Sequence, residues 1–118
     1  PLMCATASTV IDTIKAENLI DNAGQLGAYM LNAFSEKLSQ IDGVNNVRGL
    51  GLMIGIELEH DCADLVKQAL DKKLLINVAG GNVIRLLPPL IINKQHADVI
   101  ISTVCDLVIT SLQQEVAA

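Results

Sequence analysis

The sequence predicts an α+β fold: a small, largely antiparallel four-stranded sheet covered by helices, in the order ααββαββα. Three observations predict it. Two long apolar stripes at three- and four-residue steps, Leu19 to Ile41 and Ala97 to Leu112, are helical in period and too long for strands. Between them the period falls to two, as in Leu52-Ile54-Ile56-Leu58. Finally, the extended stretches come in pairs joined by short glycine-bearing connections, which suit hairpins rather than crossovers. Helices mixed with hairpins give one layer of each.

Taken in order, Leu2 to Lys15 forms a first helix, with Leu2, Thr6, Thr9, Val10, Thr13 and Ile14 on one face. Its threonines lower the intrinsic propensity, so packing must support it. The second helix carries Leu19, Ala23, Leu26, Met30, Leu31, Phe34, Leu38 and Ile41 and is expected to stop at Asp42-Gly43. Val44–Arg48 and Leu52–Leu58 read as strands joined through Gly49-Leu50-Gly51. Gly55, inside a strand, suggests close approach of a neighbouring backbone, a ligand or a tightly packed helix. Asp61 is an expected N-cap for a third helix, Cys62 to about Lys73, with Leu65, Val66, Ala69 and Leu70 inward. Leu74–Val78 and Val83–Leu87 read as a hairpin about Gly80-Gly81, and Pro88-Pro89 ends the second strand. Asn93 is the expected cap of the last helix, and the tail Gln113 to Ala118 is expected to fray.

Composition excludes several classes. With 118 residues, 51% hydrophobic and 18% charged, the chain is one ordered domain with a modest core. Aromatic residues are 2%, so that core is aliphatic. A net charge of −5 with no basic run argues against nucleic acid and anionic membrane surfaces. No window approaches the roughly 18 apolar residues of a membrane span. Cys4, Cys62 and Cys105 are odd in number, with neither CxxC spacing nor a histidine at ligand spacing. They are read as buried thiols in a cytoplasmic protein, with no metal site. Nothing resembles a targeting peptide. The start at Pro1, already in helical composition, reads as part of a longer chain.

Arg85 is the residue singled out for function. Alternation places Val83, Arg85 and Leu87 on one face of their strand and Ile84 and Leu86 on the other. A guanidinium fork matches a carboxylate in bidentate fashion, whereas an edge-strand arginine simply lays its stem on the sheet. The residues alone leave both readings open. Other chemistry is sparse. His60 and His96 sit near helix starts, where capping accounts for them, and all six lysines fall on helix surfaces or ends. No nucleophile elbow occurs. Gly49-Leu50-Gly51 lacks the following helix and third glycine of a nucleotide fingerprint. No catalytic residue is assigned.

Three stretches together, PLMCATASTVIDTI, VRGLGLMIGIELE and NVIRLLPPLII, resemble the C-terminal part of the class III, fold-type I aminotransferases, which depend on pyridoxal 5′-phosphate. Within the class the resemblance is nearest to the acetylornithine and succinylornithine transaminases; ornithine and 4-aminobutyrate transaminases share much of it. It implies that residues 1–118 are a C-terminal small domain, and that the cofactor domain with its Schiff-base lysine lies outside them. This chain by itself would then be inactive and bind no cofactor. Arg85, in R-x-x-P-P-L, would grip a substrate carboxylate, and Arg48, in R-G-x-G, would be structural, pairing with a carboxylate or carbonyl. The implied reaction is amino transfer from N-acetylornithine to 2-oxoglutarate in arginine biosynthesis, in a cytoplasmic homodimer. The implied partners are the large domain, a second subunit and small-molecule substrates. Separated from that domain, the chain is expected to self-associate through its first helix and the Arg85 face. A free-standing ligand-binding or dimerisation module is the reading from another class.

Overall fold

Eight elements follow one another in the computed structural model, which describes residues 1–117: α1 (Leu2–Ala16), α2 (Leu19–Leu38), β1 (Val44–Leu50), β2 (Met53–Leu58), α3 (Leu65–Asp71), β3 (Asn77–Ala79), β4 (Val83–Leu86) and α4 (Lys94–Ala117). The expected order holds. All strand pairs are antiparallel and the sheet runs β1-β2-β4-β3, so the two hairpins meet along β2 and β4.

One face of the sheet makes the core. Leu52, Ile54, Ile56 and Leu58, with Ile84 and Leu86, are buried against Met30, Phe34 and Leu38 of α2. Ala97, Ile101, Val104, Cys105, Val108 and Leu112 of α4 complete it, with Leu65 and Ala69 of α3 at the side. Alternation sends Arg48, Gly55, Glu57, Val83 and Arg85 to the opposite face, which no helix covers.

Several boundaries move, each for a local reason. α2 ends at Leu38 rather than Ile41, and Asp42-Gly43 is a turn into β1, with Gly43 at φ +93°. β1 continues through Gly49 and Leu50, so the hairpin turn is Gly51-Leu52, closed by the Leu50–Met53 pair. Asp61 does not cap α3. Its Oδ1 accepts the Ala63 N–H (3.0 Å) and the Cys62 N–H donates to the Gly81 carbonyl (2.7 Å), while residues 62–64 form tight turns, with Leu65 donating to Cys62 (3.0 Å) and Val66 to Ala63 (3.2 Å), before the α-helix begins. α3 is therefore only Leu65–Asp71, and Val66 and Leu70 are exposed rather than inward.

The third strand also shifts, to Asn77–Ala79. Lys73 adopts φ +62°, and Leu74 donates to Ala69 (2.9 Å) in a Schellman closure of α3, which leaves Leu75 in solvent. Asn93 does cap α4: its Oδ1 accepts the His96 N–H (3.0 Å), and its own N–H donates to His96 Nδ1 (3.3 Å). α4 stays helical through Gln113 to Ala117, where fraying was expected; Ala118 lies outside the described residues. Cys4 is exposed, unlike the buried Cys62 and Cys105, and no disulfide joins the three.

α1 stands apart, because none of its residues is buried. Its three threonine hydroxyls donate to carbonyls four residues back, from Thr6, Thr9 and Thr13, at 3.0, 2.9 and 2.8 Å.

Candidate functional site: the open face of the sheet

Hairpin register builds the site. Arg48 on β1 and Arg85 on β4 both stand opposite Gly55 on β2, one from each side. These are the chain's only two arginines, so a molecule of net charge −5 places all its guanidinium charge in one cross-strand row. Two strand spacings separate their Cα atoms by about 10 Å. Asn77 extends the row on β3. The atoms nearest a Cβ at Gly55 would be Val83 Cγ1 at 3.5 Å, Arg48 Cγ at 3.9 Å and the Arg48 carbonyl oxygen at 4.0 Å, all ordinary contacts. Neither a neighbouring backbone nor a packed helix accounts for this glycine. It leaves the floor of a groove of about 440 Å³, lined by Arg48, Leu50, Met53, Gly55, Val83 and Arg85 among others.

The two arginines differ. Arg48 Nη1 donates to Glu57 Oε2 at 2.5 Å, so Arg48 has the carboxylate partner its structural reading required. Arg85 is exposed and makes no hydrogen bond or ion pair with any described residue. β4 is paired on both sides, so Arg85 is not the edge-strand arginine of the simpler reading. An unpaired fork in mid-sheet, over a floor without side chains, can bind and orient a planar carboxylate. It cannot do acid–base or covalent work, and all six lysines lie on helices or at their ends.

The exit from β4 is held in place. After Pro88-Pro89, the side-chain amide of Asn22 on α2 donates to the carbonyls of Leu90 (2.8 Å) and Ile92 (3.0 Å). This ties the Arg85 strand to the helix layer. Sequence reading missed Asn22. For Glu57, alternation gives the Gly55 face but not the arginine partner on β1. On the helix side, the Tyr29 hydroxyl donates to Asp98 Oδ1 (2.6 Å), and Lys94 Nζ lies 5.0 Å from the ring centroid. The bond to Asp98, with burial and the carboxylate charge behind it, raises the Tyr29 pKa. His96 is spent on the α4 cap, as its position suggested, and no metal-holding group of three acidic, His or Cys side chains occurs among the described residues. No described helix is long and apolar enough to cross a membrane.

Residues 1–108 match the family described as aminotransferase class-III. The chain is 43% identical over 115 residues to acetylornithine aminotransferase 1 of Bordetella bronchiseptica, covering 98% of this chain and 29% of that protein. It is 44% identical over 107 residues to the acetylornithine aminotransferase of Aquifex aeolicus, covering 91% and 27%. Among solved structures, the Toxoplasma gondii ornithine aminotransferase superposes with a TM-score of 0.90 at 25% identity, over 97% of this chain and 28% of that one. The acetylornithine aminotransferase of Elizabethkingia anophelis gives 0.82 at 27% identity, over 93% and 30%. The chain thus spans about three-tenths of the length of the proteins it matches.

Proposed function

The chain belongs to the class-III aminotransferase family, and on that premise we propose that residues 1–118 are the C-terminal small domain of a cytoplasmic, homodimeric enzyme that transfers the amino group of N-acetylornithine to 2-oxoglutarate in arginine biosynthesis. Similarity to the Bordetella and Aquifex acetylornithine aminotransferases supports that choice over ornithine, succinylornithine or 4-aminobutyrate as donor. The family depends on pyridoxal phosphate, which when bound supplies the stabilisation of negative charge at the substrate carbon. No lysine lies on the open face, so holding the cofactor is the task of the large domain, and this chain alone is inactive.

The observation that carries the reading is the unpaired Arg85 above Gly55. Its fork fixes both the position and the plane of the α-carboxylate of 2-oxoglutarate or glutamate, which orients the substrate before any proton moves. Exposed Leu2, Met3, Val10 and Ile11 on α1 support docking of that helix on the large domain, or on a second copy in the chain alone.

The test is Arg85→Gln in the assembled enzyme. A charge-assisted hydrogen-bonded pair contributes about 1.5–3 kcal/mol, so KM for 2-oxoglutarate should rise roughly 10- to 150-fold. Arg85→Lys, which keeps the charge without the fork, should recover only part of this. An unchanged KM in Arg85→Gln would overturn the assignment.

A further inference from the structure

Glu57 lies between the two arginines. Register places Gly55 opposite both Arg48 and Arg85, and Glu57 is two residues along the same strand, on the same face. It is therefore a diagonal cross-strand neighbour of each, and diagonal pairs of this kind are within reach of long side chains. In the structure its carboxylate is engaged by Arg48 alone, at 2.5 Å, and Arg85 has no described partner. The carboxylate nearest Arg85 in the register thus belongs to the protein itself.

We propose that Arg48 is a positioning residue: by holding Glu57 on its own side of β2, it keeps the Arg85 fork open to an incoming carboxylate. Were Arg48 absent, the freed Glu57 would find its nearest cation across the other hairpin. It would then occupy Arg85 as an internal competitor. Glu57 thereby sets a threshold for occupancy: a ligand gains Arg85 more readily while the protein's own carboxylate is tethered elsewhere. This inference rests on the carboxylate role proposed for Arg85, but the movement of Glu57 can be tested without it.

With two arginines in the chain, 15N-labelled arginine gives two side-chain Nε–H signals, assigned by Arg48→Gln and Arg85→Gln. In the wild-type chain the Arg48 signal should be protected from exchange and the Arg85 signal rapidly exchanging. In Arg48→Gln the surviving Arg85 signal should become protected and shift, and in the Arg48→Gln/Glu57→Gln double variant it should return to its wild-type position. An Arg85 signal that is unchanged in Arg48→Gln overturns the proposal.

In the assembled enzyme, an exposed ion pair of about 0.3–1 kcal/mol implies a KM for 2-oxoglutarate raised roughly 2- to 5-fold by Arg48→Gln, with kcat unchanged. Addition of Glu57→Gln should restore it. A merely structural role for Arg48 would not be rescued by removing its partner, and failure of the rescue counts against the proposal. If glutarate leaves the wild-type Arg85 signal unmoved while the Arg48→Gln shift is seen, the carboxylate role of Arg85 fails and the Glu57 movement stands.

Discussion

Gly27 of α2 is buried where the helix passes the hairpin turn, and a Cβ there would lie 2.0 Å from the Gly51 carbonyl oxygen, 2.3 Å from its carbon and 2.8 Å from its Cα. Ordinary contact begins near 3.4 Å, so Gly27→Ala requires about 1.4 Å of separation. Both contacting groups are backbone, one in a helix and one in a turn with Gly51 at φ +55°, so neither can swing away as a side chain would. The helix or the hairpin must move as a body, and α2 carries Met30 and Phe34, both wholly buried.

Overpacking of this kind costs typically 1–3 kcal/mol, and a backbone clash belongs at the upper end. The better helix propensity of alanine returns about 1 kcal/mol, leaving a net loss of roughly 2 kcal/mol. Gly24 lies one turn earlier on the same helix, is exposed, and has nothing within 4 Å of its Cβ position. Gly24→Ala should therefore stabilise by up to about 1 kcal/mol. The two single substitutions are chemically identical and should split the urea midpoint in opposite directions, about 3 kcal/mol apart at equal m. Unfolding followed by far-UV circular dichroism measures this directly. A Gly27→Ala chain as stable as Gly24→Ala would refute the tight seating of the hairpin on α2.

Gly55→Ala should leave stability within about 0.5 kcal/mol, since its Cβ meets only ordinary contacts, yet narrow the groove and raise KM for the carboxylate substrate in the assembled enzyme. Burial pushes the Cys105 thiol above its ordinary 9.0, with Lys37 opposing and Asp106 adding. The folded state thus holds a proton that the unfolded chain releases first, so this contribution is whole below that ordinary value and is lost as pH rises through the folded one. Cys105→Val should flatten that alkaline decline in denaturant midpoints. Thiol titration should find Cys4 fast, and Cys62 and Cys105 slow until unfolding. At concentrations where the chain is monomeric, removing residues 1–16 should leave the unfolding free energy within about 0.5 kcal/mol, because α1 buries no residue.

What was legible in the sequence is what depends on long local periods. The stripes of α2 and α4 and the alternation of β2 each repeat often enough to fix a face, and Arg85 inherits its open face from the same rule. What failed depends on partners distant in sequence. The turn that precedes α3 is anchored by a bond from the Cys62 amide to the Gly81 carbonyl, 19 residues further on. β3 starts late because a lysine takes a left-handed conformation that composition would reserve for glycine. The Arg48–Glu57 pair follows from where the hairpin turns, at Gly51-Leu52 rather than around all three residues of Gly49-Leu50-Gly51. That Arg85 is interior rather than at an edge follows from strand order, which no local pattern encodes.

α1 poses the sharpest physical question, because a 15-residue helix with no buried residue has little to hold it. Isolated helices of this length are marginal in water even in alanine-rich sequences, and this one carries Thr6, Thr9, Val10, Ile11, Thr13 and Ile14. The helix projects from the body: the long axis is 56 Å against 27 and 22 Å, and the radius of gyration is 16.1 Å, where a compact chain of this length has about 13.5 Å. Leu2 and Met3 are 80% and 82% exposed at its far end. Persistence of α1 therefore requires a second surface, from the large domain or from another copy. For the chain alone, helix content should rise with concentration as α1, roughly a fifth of the helical residues, is captured by association. Sedimentation velocity should show oligomers over the same range, and the chain lacking residues 1–16 should lose both effects. A chain that stays monomeric with constant ellipticity across that range would refute the argument, since α1 would then be either stable unaided or never formed.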